Sequence, residues 1–458
     1  MVNVLAGLIL SASFAPIGLW FLAPCAYALL FWSLRRTSKP ILAFFLFGLI
    51  SQLFTLSWSG KYVGLLPLIL LALLQALFFI PSGLIFKYTQ NIWFTSATIL
   101  LMDQLRANFP FEGFGWSRIA FSQADAPFMS VVSKGGVAGL SAIVLCIAIL
   151  LNRIRLRRLL LITIIVFFPF GSHSPVEGGS SLNVAAVQGN TPKIGLDFND
   201  RAEAVLNLHL AKSVEINRRV DLIAWPENAS DIDPYLTPGI LEKLKALVIA
   251  KEAPLMFGAV LRENHELQNA SILMDANTTR STYVKQHLTP FGEYIPMRAI
   301  AQRVSPFAAD VSDFTPGHSY QTHVVRNTTI GPIICYEIID DALVRKAAKE
   351  SEMLIIQTNS ATFSGTSESR QQLNITRIRA AEHNREVLSV STVGISAFID
   401  NNGRVLQESK ENVPDLLYGT LQANNEITLA DKLGDLTWVV AIGLMAGIGL
   451  YRGNRSYR

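Results

Sequence analysis

The amino-acid sequence predicts a two-part protein: a membrane α-helical bundle of about eight spans and an extramembrane α/β layered sandwich. Only 16% of the 458 residues are charged, whereas soluble proteins carry about 25%. Residues 1–171 hold only 12 of the 39 basic and 3 of the 35 acidic residues. Long apolar runs in this part give way, beyond a Gly/Ser-rich stretch, to short strand-like runs that alternate with helical ones. This pattern excludes a fully soluble enzyme, a disordered chain and a small disulfide scaffold, and it argues against nucleic-acid binding.

The spans are predicted from the length of the apolar runs, because a transmembrane helix needs about 20 mostly apolar residues. Six runs qualify, at residues 41–59, 63–86, 91–106, 131–151, 158–171 and 436–451. The opening stretch, residues 3–34, is too long for one span and is interrupted by Pro16 and Pro24. We interpret it as two short spans, with a single crossing as the alternative. Asp103 and Arg106 are interpreted as an ion pair at the outer water interface.

Basic residues predict the orientation, because loops rich in Lys and Arg stay in the cytoplasm. Such residues follow the second, fourth, sixth and eighth spans, at 35–39, 87, 153–158 and 452–458. They share one side of the membrane if both termini are cytoplasmic, which places residues 172–435 outside. A single crossing at the start would move only the N-terminus. The predicted parts are residues 1–171 (N-terminal spans), 172–181 (linker), 182–423 (extramembrane α/β domain), 424–435 (linker) and 436–458 (last span and basic tail).

The extramembrane domain is predicted to contain a largely buried sheet covered by helices. Its strand candidates are residues 182–188, 221–225, 254–260, 269–275, 329–335, 353–358 and 387–400. Its helix candidates are residues 200–218, 237–251, 340–350 and 367–385. The strands mix near-continuous apolar runs with alternation, as in a sheet packed on both faces. Helices on such a sheet give a layered α/β architecture.

Three polar residues near strand ends supply the candidate chemistry. Glu227 follows the strand at 221–225, Lys285 precedes a turn, and Cys335 ends the strand at 329–335. A carboxylate, an ammonium and a thiol suffice for acyl transfer, because they provide a base, an oxyanion partner and a nucleophile. Each residue alone is weak evidence for catalysis, because charged residues in solvated loops and small buried cysteines are common. His287 nearby is interpreted as an exposed loop residue rather than a second base.

The motifs that contain these residues are more specific in combination. In chain order they are Trp225-Pro226-Glu227, then Lys285, then Pro290-Phe291-Gly292-Glu293, then Cys335-Tyr336-Glu337. This order on an α/β domain resembles the nitrilase (carbon–nitrogen hydrolase) superfamily. With spans on both sides, and Gly113-Phe114-Gly115-Trp116 after the fifth span, the chain resembles the membrane-embedded bacterial branch, the apolipoprotein N-acyltransferases.

The resemblance implies an αββα sandwich and a Glu-Lys-Cys triad. It makes Glu227 the general base, Lys285 the oxyanion stabiliser and Cys335 the nucleophile. It further assigns supporting positions to Glu293, Tyr336 and Glu337. The family helix motif continues at residues 377–382. Many members carry Asn-Asp-Ala-Trp-Phe-Gly downstream of the cysteine, where this chain has residues 359–364 as Asn-Ser-Ala-Thr-Phe-Ser, so no lipid contact is carried over from that loop.

The resemblance also implies a two-step reaction with two lipid partners. A phospholipid donates a fatty acyl group to Cys335, and a diacylglyceryl-cysteine apolipoprotein then accepts it on its N-terminal amine. We expect no cofactor and no metal, and we expect a monomer. One alternative is a membrane-anchored amidase acting on a small amide with the same triad. Another is a transporter or scaffold whose outer domain binds without chemistry.

Overall fold

The computed structural model describes residues 1–152, 156–167, 171–174, 179–191, 203–230, 232–263, 266–276, 279–304 and 311–456. The chain forms two compact units. One comprises Met1–Ser172 and Thr428–Arg458, and the other comprises His173–Ile427. Residues 153–155 of the predicted basic cluster and residues 175–178 of the predicted linker lie outside the described residues.

The first unit is helical. Its N-terminal helices are α1 (Val2–Ser11), α2 (Leu22–Leu34), α3 (Pro40–Thr55), α4 (Gly60–Val63), α5 (Leu65–Leu77), α6 (Ile80–Thr89), α7 (Ile92–Arg106), α8 (Val132–Leu151) and α9 (Leu156–Phe167). The opening stretch therefore contains two short helices. Among the described residues, two helical segments are long and apolar enough to cross a bilayer, Leu65–Thr89 and Met129–Leu151.

A polar network lies inside this helical unit and corrects one interpretation. Arg106 and Asp103 form an ion pair at 2.7 Å, but their side chains are only 3% and 4% exposed, so they do not mark a water interface. Arg106 also donates to Ser117 at 2.8 Å and to Gln75 at 3.2 Å. These helices enclose the guanidinium because a buried charge must be paired and hydrogen-bonded. Spacing along one helix could not reveal those partners.

In the part of the second unit that the structure describes, there are twelve strands. They are β1 (Ser181–Gln188), β2 (Leu222–Ala224), β3 (Leu255–Glu263), β4 (Glu266–Met274), β5 (Thr279–Val284), β6 (His323–Val325), β7 (Thr328–Ile334), β8 (Met353–Thr358), β9 (Val387–Ser391), β10 (Ala397–Ile399), β11 (Val405–Glu408) and β12 (Asp415–Gln422). They form two six-stranded sheets, in the orders β12-β1-β2-β3-β4-β5 and β11-β10-β9-β8-β7-β6.

The two sheets pack face to face, and helices cover them. The helices of this unit are α10 (Ala204–Val214), α11 (Ile240–Lys251), α12 (Arg298–Val304), α13 (Asp341–Glu350) and α14 (Glu368–His383). Alternate residues of β1 show the layering, because Val184 packs between the sheets while Val187 packs in the cluster beneath α10 and α11. Side chains alternate faces along a strand, so one short sequence contributes to both cores. The result is the expected αββα sandwich.

The sequence prediction joined two strands that the structure separates. Residues 387–400 form β9 and β10, which pair antiparallel with Leu388 opposite Phe398. The chain turns at Gly394, whose N–H donates to the Ser391 hydroxyl at 2.9 Å. The apolar pattern continues through this turn because both strands and the turn are buried. The prediction also missed β5, β6, β11 and β12.

The chain finally returns to the helical unit. The last two helices are α15 (Leu429–Leu433) and α16 (Leu436–Ser456). The Thr428 hydroxyl accepts from the N–H of Asp431 at 3.1 Å and so caps α15. Such caps satisfy N–H groups that have no partner inside the helix. The cap therefore marks where the α/β unit ends and the helical unit resumes.

We predict that Ile355→Ala destabilises the α/β unit. Ile355 is fully buried between the two sheets, and its truncation leaves a cavity that costs about 2–5 kcal/mol. Thermal unfolding of the full chain in detergent measures the change. Leu406→Ala is the control, because Leu406 is 61% exposed and its loss should cost less than about 0.5 kcal/mol. Equal effects of the two substitutions would contradict the described packing.

Candidate active site

The three residues of the predicted triad lie just beyond strand ends. Glu227 follows β2, Lys285 directly follows β5, and Cys335 directly follows β7. The first two strands belong to one sheet and the third to the other. Side chains of the second sheet hold the Glu227 loop, because Gln357 donates to the Trp225 carbonyl at 2.7 Å and Thr392 donates to the Glu227 carbonyl at 3.2 Å. The site is thus built where the two sheets meet.

Glycine at position 258 permits this arrangement. A Cβ atom there would lie 2.5 Å from the Pro226 carbonyl oxygen and 2.6 Å from the Glu227 Cα. Both contacts are to backbone, which cannot rotate away. The β3 strand can therefore approach the Glu227 loop only without a side chain at this position.

The centre of the site is the buried Lys285 ammonium, which is 1% exposed. It contacts two carboxylates, Glu293 at 2.8 Å and Glu227 at 3.3 Å. Asn269 bridges the same two carboxylates, because its amide nitrogen donates to Glu227 at 2.8 Å and to Glu293 at 2.7 Å. The Thr289 N–H donates to Glu293 at 2.7 Å. Asn269 is not among the predicted site residues, although an amide inside an apolar strand was the available signal.

The two carboxylates differ in their protonation behaviour. Burial raises the pKa of Glu227 and outweighs the Lys285 ammonium, which lowers it. Burial also opposes ionisation of Glu293, but the Lys285 ammonium and hydrogen bonds bring its pKa below its ordinary value. Burial acts to lower the pKa of Lys285, yet Glu293 and Glu227 together raise it. Glu293 therefore keeps the ammonium charged, while Glu227 is the more basic carboxylate.

Cys335 occupies a strained turn beside this cluster. Its φ of 48° lies in the left-handed region, which non-glycine residues rarely adopt and which concentrates at functional sites. Burial raises the pKa of its thiol, the Glu227 carboxylate raises it further, and the Lys285 ammonium lowers it. The thiol donates a hydrogen bond that lowers the pKa of Glu227. The thiol is thus protonated at neutral pH and lies beside a base.

Glu337 fixes the cysteine turn to the lysine strand. Its carboxylate accepts from Tyr283 at 2.6 Å, from the Gln286 N–H at 2.7 Å and from the Ile334 N–H at 2.8 Å. Tyr283 and Gln286 lie on either side of Lys285 in the chain, and Ile334 directly precedes Cys335. Burial raises the pKa of Glu337, and these hydrogen bonds lower it in part. Glu337 thus links the segment that contains Lys285 to the turn that contains Cys335.

Tyr336, which follows Cys335 in the chain, contacts His287. Their rings meet edge to face, with centroids 5.3 Å apart. The expectation that His287 is exposed was wrong, because it is 7% exposed and its Nδ1 lies 2.9 Å from an Asp340 carboxylate oxygen. Sequence reasoning placed it in a loop, but this loop packs under the cysteine turn.

Arg379 holds the same turn from the α14 side. Its fully buried guanidinium contacts Asp341 at 2.7 Å and Glu382 at 2.6 Å. It also donates to the carbonyl of Ile338 at 3.0 Å. A guanidinium suits this position because its planar fork serves several acceptors at once. Among the described residues, no group of three or more His, Cys, Asp or Glu side chains is arranged to hold a metal ion.

We predict that Glu227→Gln makes Cys335 easier to alkylate. The substitution removes a charge that raises the pKa of the thiol, so the thiolate fraction at pH 8 increases up to about tenfold for each pKa unit recovered. Lys285→Met has the opposite effect. Iodoacetamide labelling is followed by mass spectrometry in a chain carrying Cys25→Ser and Cys146→Ser, which leaves one thiol. Slower labelling of the Glu227→Gln variant would contradict this electrostatic arrangement.

Comparison with known proteins covers both units. The family model for the apolipoprotein N-acyltransferase N-terminal domain matches residues 6–150, and the model for carbon-nitrogen hydrolase matches residues 183–430. The chain is 30% identical to an apolipoprotein N-acyltransferase of Mycolicibacterium smegmatis, over 97% of this chain and 83% of that protein. It is 27% identical to an apolipoprotein N-acyltransferase of Pseudomonas putida, over 96% and 94% of the two chains. The chain belongs to the apolipoprotein N-acyltransferase family of the carbon–nitrogen hydrolase superfamily.

Proposed function

We propose that this protein transfers a fatty acyl group from a phospholipid to the N-terminal amine of a diacylglyceryl-cysteine apolipoprotein. The acyl group is carried as a thioester on Cys335. The observation that carries the proposal is the thiol at a strained turn, hydrogen-bonded to a buried carboxylate that also contacts a buried ammonium. Family membership over nearly the whole chain supports the acyltransferase over the amidase alternative, because the N-terminal acyltransferase domain at residues 6–150 is matched as well.

In the first step Glu227 acts as the base. Its carboxylate accepts the Cys335 thiol proton as the sulfur attacks the ester carbonyl of the phospholipid. The Lys285 ammonium stabilises the negative oxygen of the tetrahedral intermediate. When the intermediate collapses, the C–O bond breaks and the lysophospholipid oxygen takes the proton from Glu227. The products are a thioester on Cys335 and a lysophospholipid.

In the second step the acceptor amine attacks the thioester carbonyl. A C–N bond forms, the C–S bond breaks, and Glu227 passes a proton from the nitrogen to the Cys335 sulfur. Glu293 supports both steps by keeping Lys285 charged through its 2.8 Å contact. Glu337 and Tyr336 hold the turn. We propose a monomer as the active unit, because all of these side chains come from one chain.

We predict a covalent acyl adduct on Cys335 after incubation of the purified full chain with phospholipid. Intact mass should increase by the mass of the fatty acid less one water, and hydroxylamine should remove the adduct because it cleaves thioesters. A diacylated lipopeptide should also discharge it. Cys335→Ala should form no adduct, whereas Cys25→Ser is the matched control and should form it normally. An unaltered protein that gains no mass with any phospholipid would contradict the proposal.

We further propose that the helical unit crosses the membrane eight times, with both termini in the cytoplasm and the α/β unit outside. The basic residues that follow alternate apolar runs support this orientation. A bilayer location suits the reaction, because moving an acyl chain into water costs about 0.8 kcal/mol per CH₂ group. An enzyme held in the membrane can take both lipid substrates without that cost.

We predict opposite labelling of two single cysteines in spheroplasts. In a chain with all three native cysteines changed to Ser, Glu350→Cys should react with a membrane-impermeant maleimide before lysis. Ser38→Cys should react only after the membrane is permeabilised, because it lies among the basic residues at 35–39. Both positions are exposed in the structure. Labelling of Ser38→Cys in intact spheroplasts would contradict the proposed orientation.

A further inference from the structure

A second buried glutamate faces the nucleophile and has no part in the mechanism above. Glu368 is the first residue of α14 and is 3% exposed. Gln372 lies one turn further along the same helix, and its amide nitrogen lies 3.6 Å from the Cys335 sulfur. Residues four apart on a helix share one face. Glu368 therefore belongs to the helix face that contacts the thiol.

The charges of these groups interact. A Glu368 carboxylate raises the pKa of Cys335, and the Glu227 carboxylate raises the pKa of Glu368. Glu368 thus lies within the electrostatic range of both the nucleophile and its base. Within the part of the chain that the structure describes, Glu368 forms no ion pair, unlike Glu227 and Glu293. It is a buried acid without a permanent countercharge.

Hydroxyl groups surround this acid. The Ser360 and Ser369 side chains are hydrogen-bonded to the Glu368 carboxyl. A Cβ atom at Gly394 would lie 2.7 to 3.0 Å from the hydroxyls of Ser391, Ser360 and Ser369, so three hydroxyls converge beside the carboxyl. Hydroxyl and carboxylate oxygens are the acceptors that a primary ammonium needs for its three N–H donors. The surroundings of Glu368 therefore match a cationic amine.

A count of the protons on the incoming amine shows that the second step needs another proton acceptor besides Glu227. An N-terminal amine has a pKa of about 7.7–8.0, so at neutral pH it arrives mainly as an ammonium with three protons. The amide product keeps one proton, and one passes through Glu227 to the Cys335 sulfur. The third must leave before the nitrogen can attack. Glu227 cannot take it as well, because a carboxylate of this kind holds one proton at a time.

We propose that Glu368 is the base that removes the surplus proton from the acceptor ammonium. Its carboxylate takes one N–H proton, and the nitrogen lone pair that this frees attacks the thioester. The C–N bond forms, the C–S bond breaks, and Glu227 moves the next proton to sulfur. Glu368 finally releases its proton to water. This inference rests on the proposed function and divides the two proton transfers between two carboxylates.

The electrostatic setting supports this role. Burial raises the pKa of Glu368 to about 7, the Ser360 and Ser369 hydroxyls lower it in part, and the charges of Glu411 and Glu227 raise it. A base works best when its pKa lies near the working pH. A bound ammonium would bring this raised pKa of Glu368 down again, so the carboxylate form persists below pH 7 when the acceptor is present.

The two half-reactions of Glu368→Gln test the inference. Acyl-enzyme is prepared from the full chain in detergent with phospholipid, and its discharge by a diacylated lipopeptide is followed by intact mass from pH 6 to 9. In the unaltered protein the rate should fall only below about pH 7. In the variant the rate should already decrease at pH values below about 8, because only the free-amine fraction of the acceptor can then attack. We expect discharge of the variant to be about tenfold slower than discharge of the unaltered protein at pH 6.5, and equally fast at pH 9.

Thioester formation provides the internal control. Because Glu368 raises the pKa of Cys335, its neutralisation should leave this first step no slower. Glu242→Gln is the matched variant, since Glu242 also lies in a first helical turn but is exposed. It should change neither step. Identical pH profiles for the unaltered and Glu368→Gln proteins, or equal slowing of both half-reactions, would overturn the inference. No thioester in the unaltered protein would instead contradict the proposed function, and the inference with it.

Discussion

The candidate active site is organised around the buried Lys285 ammonium. The Lys285 ammonium is almost completely removed from water, and both Glu293 and Glu227 lie within 3.3 Å of it. A buried charge is strongly destabilising unless it is paired and hydrogen-bonded. The cluster therefore requires the Asn269 bridge between the carboxylates and the close approach of β3 at Gly258. The countercharges and the bridging amide all belong to the first sheet or to the loops that follow its strands.

The two carboxylates beside this ammonium have pKa values shifted in opposite directions. Glu293 makes the shorter contact and remains ionised, whereas burial dominates the pKa of Glu227. Such a difference between neighbouring acids is the usual physical basis for assigning a base and a support. The thiol, held at positive φ next to Glu227, has a raised pKa and is protonated at neutral pH. This arrangement limits side reactions of a free thiolate.

The loop after β8 shows how a changed motif alters the interpretation of a site. The family motif that the sequence resemblance supplies has Asp at the position of Ser360, so this loop has no carboxylate there. The structure places the Glu368 carboxyl against that same serine hydroxyl. The charge of this acid, eight positions after Ser360, also raises the pKa of Cys335. Motif comparison follows positions in the chain, whereas proton transfer depends only on the location of the carboxyl.

The sequence by itself determined the α/β class, most of the long strands and the order of Glu227, Lys285 and Cys335, because apolar periodicity and strand-end motifs are local properties. It joined residues 387–400 into one strand because a buried turn has the same apolar pattern as the strands beside it. Tertiary structure alone decided that Arg106 and His287 are buried and that Asn269 bridges two carboxylates. Burial and charge pairing are set by groups distant in sequence, since a local pattern contains no information about which side chains will lie opposite it.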